Sequence, residues 1–236
     1  MATSPARIAP VAHPAVAMLA RSPRVAGKTR LTVDLPPSSA AALRLALLLD
    51  TIECALAAPW PLHLFVTPAG EQAHVADALR ADGRLAPAAG QWQLHPQAEG
   101  DLGVRMADAM ARTLTAGHDA VVLVGSDLPA LPVSALTAAV TALSTQGGDR
   151  RLVFGPASDG GFYLVAGRGV WPEAFATVAW SRGTVLAEVT ARARAAAIDV
   201  ALVEPGDDVD VMADLERLLH TQPLNRALRT RAWATR

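Results

Sequence analysis

The stretch Asp119-Ala-Val-Val-Leu-Val-Gly-Ser-Asp-Leu-Pro-Ala-Leu131 decides how the rest of the chain can be arranged. Its apolar run ends in a glycine and is soon followed by Pro129, which predicts a short strand buried on both faces, as in a parallel sheet. Ligands of open α/β sheets bind outside the carboxyl ends of the strands, and Asp127 falls at such an end. A carboxylate among apolar groups needs a cation, a ligand or backbone donors. Asp127 is therefore the first candidate functional residue.

The composition excludes several classes of protein. Hydrophobic residues make up 51% of the 236 residues and aromatic residues 4%. The formal net charge is -1 and the pI about 6.6, so the chain lacks the basic surface that binds nucleic acid. The single cysteine, Cys54, excludes an internal disulfide and a cysteine-based zinc site. Because no apolar stretch reaches the ~18 residues of a membrane span, we expect a cytoplasmic protein with no membrane span.

Strand and helix patterns alternate through most of the chain. Apolar runs predict strands over residues 15–19, 62–66, 91–94, 120–124, 151–154, 162–165 and 199–203. Helical periodicity predicts helices over residues 39–57, 69–81, 101–116, 133–144 and 184–197 and another from residue 211, with residues 171–180 irregular. This alternation is typical of an α/β fold with a mixed, mainly parallel sheet flanked by helices.

No linker or repeat interrupts this pattern, so we expect one domain over residues 15–220. Residues 1–14 are predicted to form a flexible leader. Residues 221–236 form an arginine-rich C-terminal tail without a clear core pattern, which we expect to wrap around the domain or fray.

The loop after the first predicted strand carries four cations. They are Arg21, Arg24, Lys28 and Arg30. This position is the usual phosphate-binding loop of a nucleotide-binding α/β fold, and the four charges repel one another unless an anion neutralises them. The spacing is not that of a Walker loop. The alternative is a solvated basic loop with no ligand.

A second glycine-flanked segment precedes the helix of residues 101–116. Asp101 is placed to cap that helix, with Arg105 one turn later. The alternative is a ligand contact at the helix N-terminus. The spacing does not separate these two interpretations, so both residues stay candidate contacts for a nucleotide.

Two further acidic segments follow strand ends. Asp159 precedes Gly160 and Gly161, which permit close approach of a ligand, although a plain hairpin turn fits the same residues. Asp208 and Asp210 are two residues apart, so in extended backbone both point the same way. A divalent cation would relieve their repulsion, whereas the alternative is an acidic helix N-terminus stabilised by the helix dipole.

Taken in order, these segments resemble a known family. The motifs are Lys28-Thr-Arg-Leu31, Gly100-Asp-Leu-Gly-Val-Arg-Met106, Gly125-Ser-Asp-Leu-Pro129, Ser158-Asp-Gly-Gly-Phe-Tyr-Leu164, Trp180-Ser-Arg182 and Asp208-Val-Asp210. Together they are similar to the glycosyltransferase-A-like transferases associated with radical-SAM/selenodomain proteins. More distantly, the layout is similar to molybdenum-cofactor guanylyltransferases and 2-phospholactate guanylyltransferases.

The resemblance implies a single-domain nucleotide-diphospho-sugar transferase fold of the GT-A, Rossmann-like type. It also implies that Lys28 and Arg30 face phosphate and that Asp127 binds Mg²⁺ or Mn²⁺, with Asp208 or Asp210 as the second ligand. Asp159, with the two glycines after it, would lie on the acceptor side, where it could orient or deprotonate a hydroxyl.

The chain departs from the family pattern at three places. Gly27 stands where a basic residue is common, Leu128 where a cysteine is usual, and Val211-Met-Ala where the last helix usually starts with Thr-Pro-Glu.

The function that we favour is glycosyl transfer from a nucleotide-sugar donor to a small-molecule acceptor. Two alternatives stay open: nucleotidyl transfer with release of pyrophosphate, and a non-catalytic nucleotide-binding module. A dehydrogenase is disfavoured because no G-x-G-x-x-G follows the first strand. The base, the sugar, the acceptor and the oligomeric state do not follow from the residues.

Overall fold

All strands lie in one twisted sheet in a computed structural model of the protein, which describes residues 9–145, 147–180 and 182–235. The first eight residues of the predicted leader and Ser181 of the Trp180-Ser-Arg182 motif are outside the described residues. No helix within the described part of the chain is long and apolar enough to span a membrane.

The sheet has seven strands in the order β3-β2-β1-β4-β6-β5-β7. The strands are β1 (Pro14–Arg21), β2 (Leu62–Thr67), β3 (Trp92–Pro96), β4 (Ala120–Gly125), β5 (Arg151–Pro156), β6 (Phe162–Gly167) and β7 (Asp199–Leu202). Strand β6 is antiparallel to β4 and β5, and all the other pairs are parallel. The prediction of a mixed, mainly parallel sheet is confirmed.

Nine α-helices lie within the described residues. They are α1 (Thr29–Thr32), α2 (Pro37–Leu56), α3 (Gln72–Ala81), α4 (Leu102–Thr115), α5 (Val133–Leu143), α6 (Pro172–Phe175), α7 (Val185–Ala195), α8 (Met212–Thr221) and α9 (Leu228–Ala234). The short helices α1 and α6 and the C-terminal α9 carry no periodic apolar pattern long enough to be predicted from sequence.

The helices cover both faces of the sheet. One buried cluster joins the face that carries Met18 and Val122 to helices α2, α3 and α5. The other joins the face that carries Ala17 and Leu123 to helices α4, α6 and α7. Burial on both faces explains why β1, β2 and β4 are almost continuously apolar. The result is a three-layer α/β/α domain whose parallel strands all end at one edge.

Strand β1 is longer than its apolar run predicts. It pairs with β2 up to Arg21, which lies opposite Thr67. The reason is that pairing with β2 continues past Leu19, where the pairing with β4 ends, so the backbone of β1 stays in the ladder after its apolar residues end. Arg21 therefore ends a strand and does not lie in the basic loop where the sequence placed it.

The C-terminal residues are built into the domain. Helix α9 packs on α2, and the Arg229 guanidinium lies 2.9 Å from a carboxylate oxygen of Asp50 and 2.6 Å from one of Glu53. Asp50 is only 2% exposed and also accepts the backbone amide and the hydroxyl of Thr230. These ion pairs and hydrogen bonds connect the C-terminal segment to helix α2, although the segment has no clear apolar periodicity.

Three histidines form a hydrogen-bonded cluster on the α4 side of the sheet. His63 is buried, and its two ring nitrogens lie 3.1 Å from Nε2 of His95 and 3.0 Å from Nε2 of His118. Burial, followed by the neighbouring His118 and His95, lowers the pKa of His63 to about 4. Burial and the nearby Arg112 lower the pKa of His95 as well. Both rings are therefore neutral at pH 7.

Candidate functional site

Three aspartates meet at the carboxyl edge of the sheet. Asp127 follows β4, and Asp208 and Asp210 follow β7, yet one carboxylate oxygen from each lies within 4.8 Å of the others. We call these three residues the acidic triad. The two strands that they follow, β4 and β7, are not neighbours, since β6 and β5 lie between them in the sheet.

The backbone around Val209 brings the two halves of the triad together. Val209 is 1% exposed and packs into a third apolar cluster with Leu43 and Leu47 of helix α2. Its amide donates to the carbonyl of Asp127 at 3.0 Å. Because Val209 points into the core, its two neighbours point to the opposite side of the extended segment, as the two-residue spacing predicts.

Asp214 stabilises the start of helix α8, where the family's usual Thr-Pro-Glu is missing. Its Oδ2 accepts the backbone amides of Asp210 and Val211, each at 2.9 Å. The first amides of a helix have no carbonyl partner within the helix, and a carboxylate that accepts their hydrogen bonds commonly satisfies them. Asp210 therefore has a defined backbone despite the altered helix start.

Lys28 is the central cation of the site. Its Nζ lies 2.9 Å from Asp127 Oδ2 and 2.6 Å from Asp210 Oδ1, and it donates to the carbonyl of Val209 at 2.7 Å. The residue adopts the left-handed backbone conformation, with φ of 51°. Such a conformation costs a lysine roughly 1 kcal/mol or more, so surrounding contacts must hold it. Arg30 adds a third ion pair, which is exposed, with its Nη2 2.9 Å from Asp210 Oδ2.

The electrostatics of the triad favour a cation. Burial, followed by the negative charges of Asp210 and Asp127, raises the pKa of Asp208 to about 6. Burial alone would lower the pKa of Lys28, but Asp127 and Asp210 outweigh it and raise that pKa. Carboxylate oxygens that converge in this way are the hard ligands that Mg²⁺ and Mn²⁺ prefer, so the donor set fits either ion.

The three aspartates of the triad line a cavity of about 780 Å³. The polar lining residues include the three aspartates, Arg30, Asp159 and Arg182. The apolar lining comes mainly from Leu19, Leu102, Met106, Leu123, Phe162, Val165, Trp180 and Val185. The cavity lining therefore combines charged groups with an extensive apolar surface, and its volume is typical of sites for small molecules.

Asp159 and the two glycines form the turn between β5 and β6. Asp159 Oδ1 accepts the amide of Gly161 at 2.8 Å, and both residues line the cavity. Gly160 has φ of +85°, and a Cβ added there would lie 1.9 Å from the carbonyl oxygen of Gly183. The hairpin predicted as an alternative is present, since β5 and β6 pair antiparallel, and the same turn faces the cavity. Gly160 is needed for backbone packing and is not among the lining residues.

Five of the six predicted nucleotide contacts are not among the described residues that line the cavity. One of the five, Lys28, contacts the acidic triad directly, and the other four make different contacts. The side chain of Arg21 packs over Gly27, and Arg24 is exposed in the loop. Asp101 caps helix α4 by accepting the amide of Val104 at 2.9 Å, which confirms the cap interpretation. Arg105 donates to the carbonyl of Gly100 at 2.9 Å, across the same helix start. Neither Asp101 nor Arg105 is among the described residues that line the cavity.

Most of the lining residues are absent from the set of site residues that the sequence predicts, among them Phe162, Trp180 and Arg182. Trp180 and Phe162 form part of the apolar wall, and Arg182 adds a cation to it. Arg182 is exposed and makes no ion pair within the described part of the chain. The Trp180-Ser-Arg182 motif was a usable signal for Trp180 and Arg182. Tertiary contacts place that segment beside the β5–β6 turn, where Gly160 approaches Gly183 closely and the amide of Leu186 donates to the carbonyl of Gly160 at 3.0 Å.

Comparisons with solved structures identify the fold. The domain superposes with a TM-score of 0.78 on a protein of Desulfovibrio desulfuricans G20 that is provisionally named a nucleotide-diphospho-sugar transferase, with 24% identity over 94% of each chain. A cytidylyltransferase from Leptospira borgpetersenii gives a TM-score of 0.52, with 13% identity over 92% of this chain and 91% of its own. CMP:2-keto-3-deoxy-manno-octonic acid synthetase complexed with CTP gives 0.50, with 15% identity over 88% of this chain and 97% of its own.

At these identities the likeness shows a shared nucleotide-diphospho-sugar transferase fold, as the sequence predicted. No curated protein matches the chain in sequence. A family described as uncharacterized protein conserved in bacteria (DUF2064) matches residues 48–182, which is more than half of the chain and includes Asp127, Asp159 and the cavity wall up to Arg182. The association with radical-SAM proteins stays a prediction.

Proposed function

The chain belongs to the DUF2064 family, and we propose that it is a metal-dependent transferase that uses a nucleotide-activated donor. The observation that carries this proposal is the acidic triad in the cavity lining, with Lys28 and Arg30 paired to its carboxylates. Acidic ligands beside basic side chains match the two needs of a diphosphate, a divalent cation and further positive charge.

Asp127, Asp208 and Asp210 would hold the divalent ion, Mg²⁺ or Mn²⁺. When bound, it would neutralise charge on the leaving group of the donor. Arg30, at 73% exposed, is free to turn from Asp210 toward phosphate oxygens at little cost, since exposed ion pairs contribute little. Lys28 can supply the second positive charge from the same side of the triad. Both roles were implied by the family resemblance.

We favour glycosyl transfer as the reaction. In it, an acceptor hydroxyl attacks the anomeric carbon, the bond from that carbon to the phosphate oxygen breaks, and a nucleoside diphosphate leaves. Asp159 lines the cavity and binds the amide of Gly161 through Oδ1, and no described residue hydrogen-bonds to its Oδ2, so Oδ2 can take the hydroxyl proton. The apolar wall with Trp180 and Phe162 would hold the body of a small-molecule acceptor, and Arg182 would bind any anionic group that it carries.

Nucleotidyl transfer is the second candidate. In this reaction an acceptor oxygen attacks the α-phosphorus of a nucleoside triphosphate, and pyrophosphate leaves. Two observations favour it. The cations Lys28 and Arg30 follow β1 and pair with the acidic triad, and two of the structural neighbours are a cytidylyltransferase and a synthetase that binds CTP.

The test is product analysis with Mn²⁺, candidate acceptors, nucleotide sugars and nucleoside triphosphates. Release of a nucleoside diphosphate identifies glycosyl transfer, and release of pyrophosphate identifies nucleotidyl transfer. Asp127→Ala is expected to abolish turnover, because it removes a triad carboxylate, whereas Asp77→Ala, at an exposed pair on helix α3, is expected to leave it unchanged. Unchanged turnover and Mn²⁺ dependence in Asp127→Ala would refute the proposal. Tight nucleotide binding without turnover would instead support a non-catalytic module.

A further inference from the structure

The loop that carries Asp127 has few backbone partners of its own. Strand β4 ends at Gly125, so Ser126, Asp127 and Leu128 lie beyond the ladder. Leu128 is only 4% exposed, which means that its amide cannot rely on water. The carboxylate of Asp127 is contacted by Ser126 Oγ, at 3.2 Å from Oδ1, and by Lys28, at 2.9 Å from Oδ2. Its direction also depends on how the two peptides around Asp127 are held.

A single hydroxyl on helix α2 contacts both of those peptides. Thr51 Oγ1 accepts the amide of Leu128 at 2.9 Å and lies 3.1 Å from the carbonyl oxygen of Ser126. It also lies 2.7 Å from the carbonyl of Leu47, one turn back in the helix, and it shares its one proton between these two carbonyls. The described residues offer the Leu128 amide no other partner.

Other contacts of the loop complete its fixation. Cys54, one turn after Thr51, places its Sγ 3.6 Å from the carbonyl of Pro129. On the opposite side, the carbonyl of Asp127 accepts the amide of Val209 at 3.0 Å. Thr51 itself has 0% exposure, so no solvent contact or ligand contact accounts for its hydroxyl.

We infer that Thr51 is a positioning residue for the metal site: its buried hydroxyl fixes the peptides on both sides of Asp127 and so aims that carboxylate into the acidic triad. The inference rests on the proposed function for its metal. Side chains that orient metal ligands typically change metal affinity 10- to 100-fold when they are removed.

Thr51→Val tests the inference, because it keeps the shape of the side chain and removes the hydroxyl. We expect Mn²⁺ binding, measured by calorimetry on the folded protein, to weaken roughly 10- to 100-fold. Thr51→Ser, which keeps the hydroxyl, should restore affinity close to that of the wild type. Thr113→Val is the matched control, because Thr113 is also fully buried on a helix and, among the described residues, its hydroxyl bonds only to the carbonyl of Ala109, at 2.8 Å.

A second measurement separates this inference from the proposed function. Amide hydrogen exchange in the metal-free protein should be faster at Leu128 in Thr51→Val than in the wild type or Thr113→Val. Thr51→Val that binds Mn²⁺ like Thr113→Val, or unchanged exchange at Leu128, overturns the inference. If the wild type binds no Mn²⁺ with or without nucleotide, the proposed metal-dependent function fails, and the exchange rates alone still decide whether Thr51 holds the loop.

Discussion

Replacing Lys28 by methionine is expected to make the free protein bind Mn²⁺ more tightly. The ammonium of Lys28 lies 2.9 Å from Asp127 and 2.6 Å from Asp210, so a metal ion must compete with it for both carboxylates. Because these carboxylates raise the pKa of Lys28, the competing charge is present at every ordinary pH. Methionine has a similar length and apolar stem but no charge, so it should leave both carboxylates available.

The size of the effect follows from the exposure of the pairs. Two unit charges about 4 Å apart attract by about 1 kcal/mol in water and about 4 kcal/mol at an effective dielectric constant near 20. The side chains of Asp127 and Asp210 are 32% and 35% exposed, which places the pairs between these limits before desolvation is subtracted. A net release of about 1–2 kcal/mol predicts Mn²⁺ binding about 5- to 30-fold tighter.

The assay is titration with Mn²⁺ at low salt, followed by calorimetry or by the loss of the free-ion EPR signal, without nucleotide. Arg30→Met is the matched control, since Arg30 is 73% exposed and its pair with Asp210 is expected to change affinity about twofold at most. In the presence of Mn²⁺, Lys28→Met should bind nucleotides more weakly than the wild type, because the phosphates lose a cation.

The contacts of Lys28 thus predict that Lys28→Met binds Mn²⁺ alone more tightly and nucleotides more weakly than the wild type. A folded Lys28→Met protein that binds Mn²⁺ alone no more tightly than the wild type would refute the reasoning, because the ammonium would then not compete for the triad. A thermal melt confirms folding, since the variant also loses the bond from Lys28 to the carbonyl of Val209.

Two further predictions concern the stability of the domain. Arg229→Met should lower the free energy of unfolding, measured in urea, by about 3 kcal/mol or more, because Asp50 keeps a buried charge without its partner. The control Arg80→Met removes an exposed ion pair and should change the free energy of unfolding by less than about 1 kcal/mol. Equal losses would contradict a structural role for the C-terminal helix. The pKa of His63 is about 4 in the folded protein, below the usual 6.5, so the unfolded chain binds the proton more readily. The contribution of His63 to the free energy of unfolding is therefore complete above pH 6.5 and is lost as the pH falls toward 4. The loss is roughly 3 kcal/mol at most. The stability difference between wild type and His63→Gln should shrink over that window, and a constant difference would contradict neutral burial of the ring.

Much of the domain could be predicted because its signals are local. The apolar run before Asp127 predicted a buried strand, and the spacing of Asp208 and Asp210 predicted two carboxylates on one side of an extended segment. The cap formed by Asp101 was one of the two interpretations of a glycine-flanked helix start. In each case the residues that form the pattern lie within a few positions of one another, so apolar periodicity and helix capping can be recognised from the sequence.

The remaining features depend on contacts between distant residues. Lys28 was predicted as a phosphate contact, but its neighbours in this structure are two aspartates that follow it by about a hundred residues or more. Thr51 looked like an ordinary helix residue, since a threonine inside a helix carries no pattern that names its partner. Arg182 lines the cavity only because Gly160 lets the segment before helix α7 approach the β5–β6 turn.

The sequence by itself determined the alternation of strands and helices, the mainly parallel sheet and the strand ends at which acidic residues fall, because the burial of apolar side chains repeats with the period of each element. Only the tertiary structure decided which strand ends are neighbours, that Lys28 balances the acidic triad, and that Thr51 and the C-terminal helix hold the elements around it. The physical reason is that charges and buried hydrogen-bonding groups are satisfied by whichever partner the packed chain brings within about 3 Å, and that distance is a property of the fold.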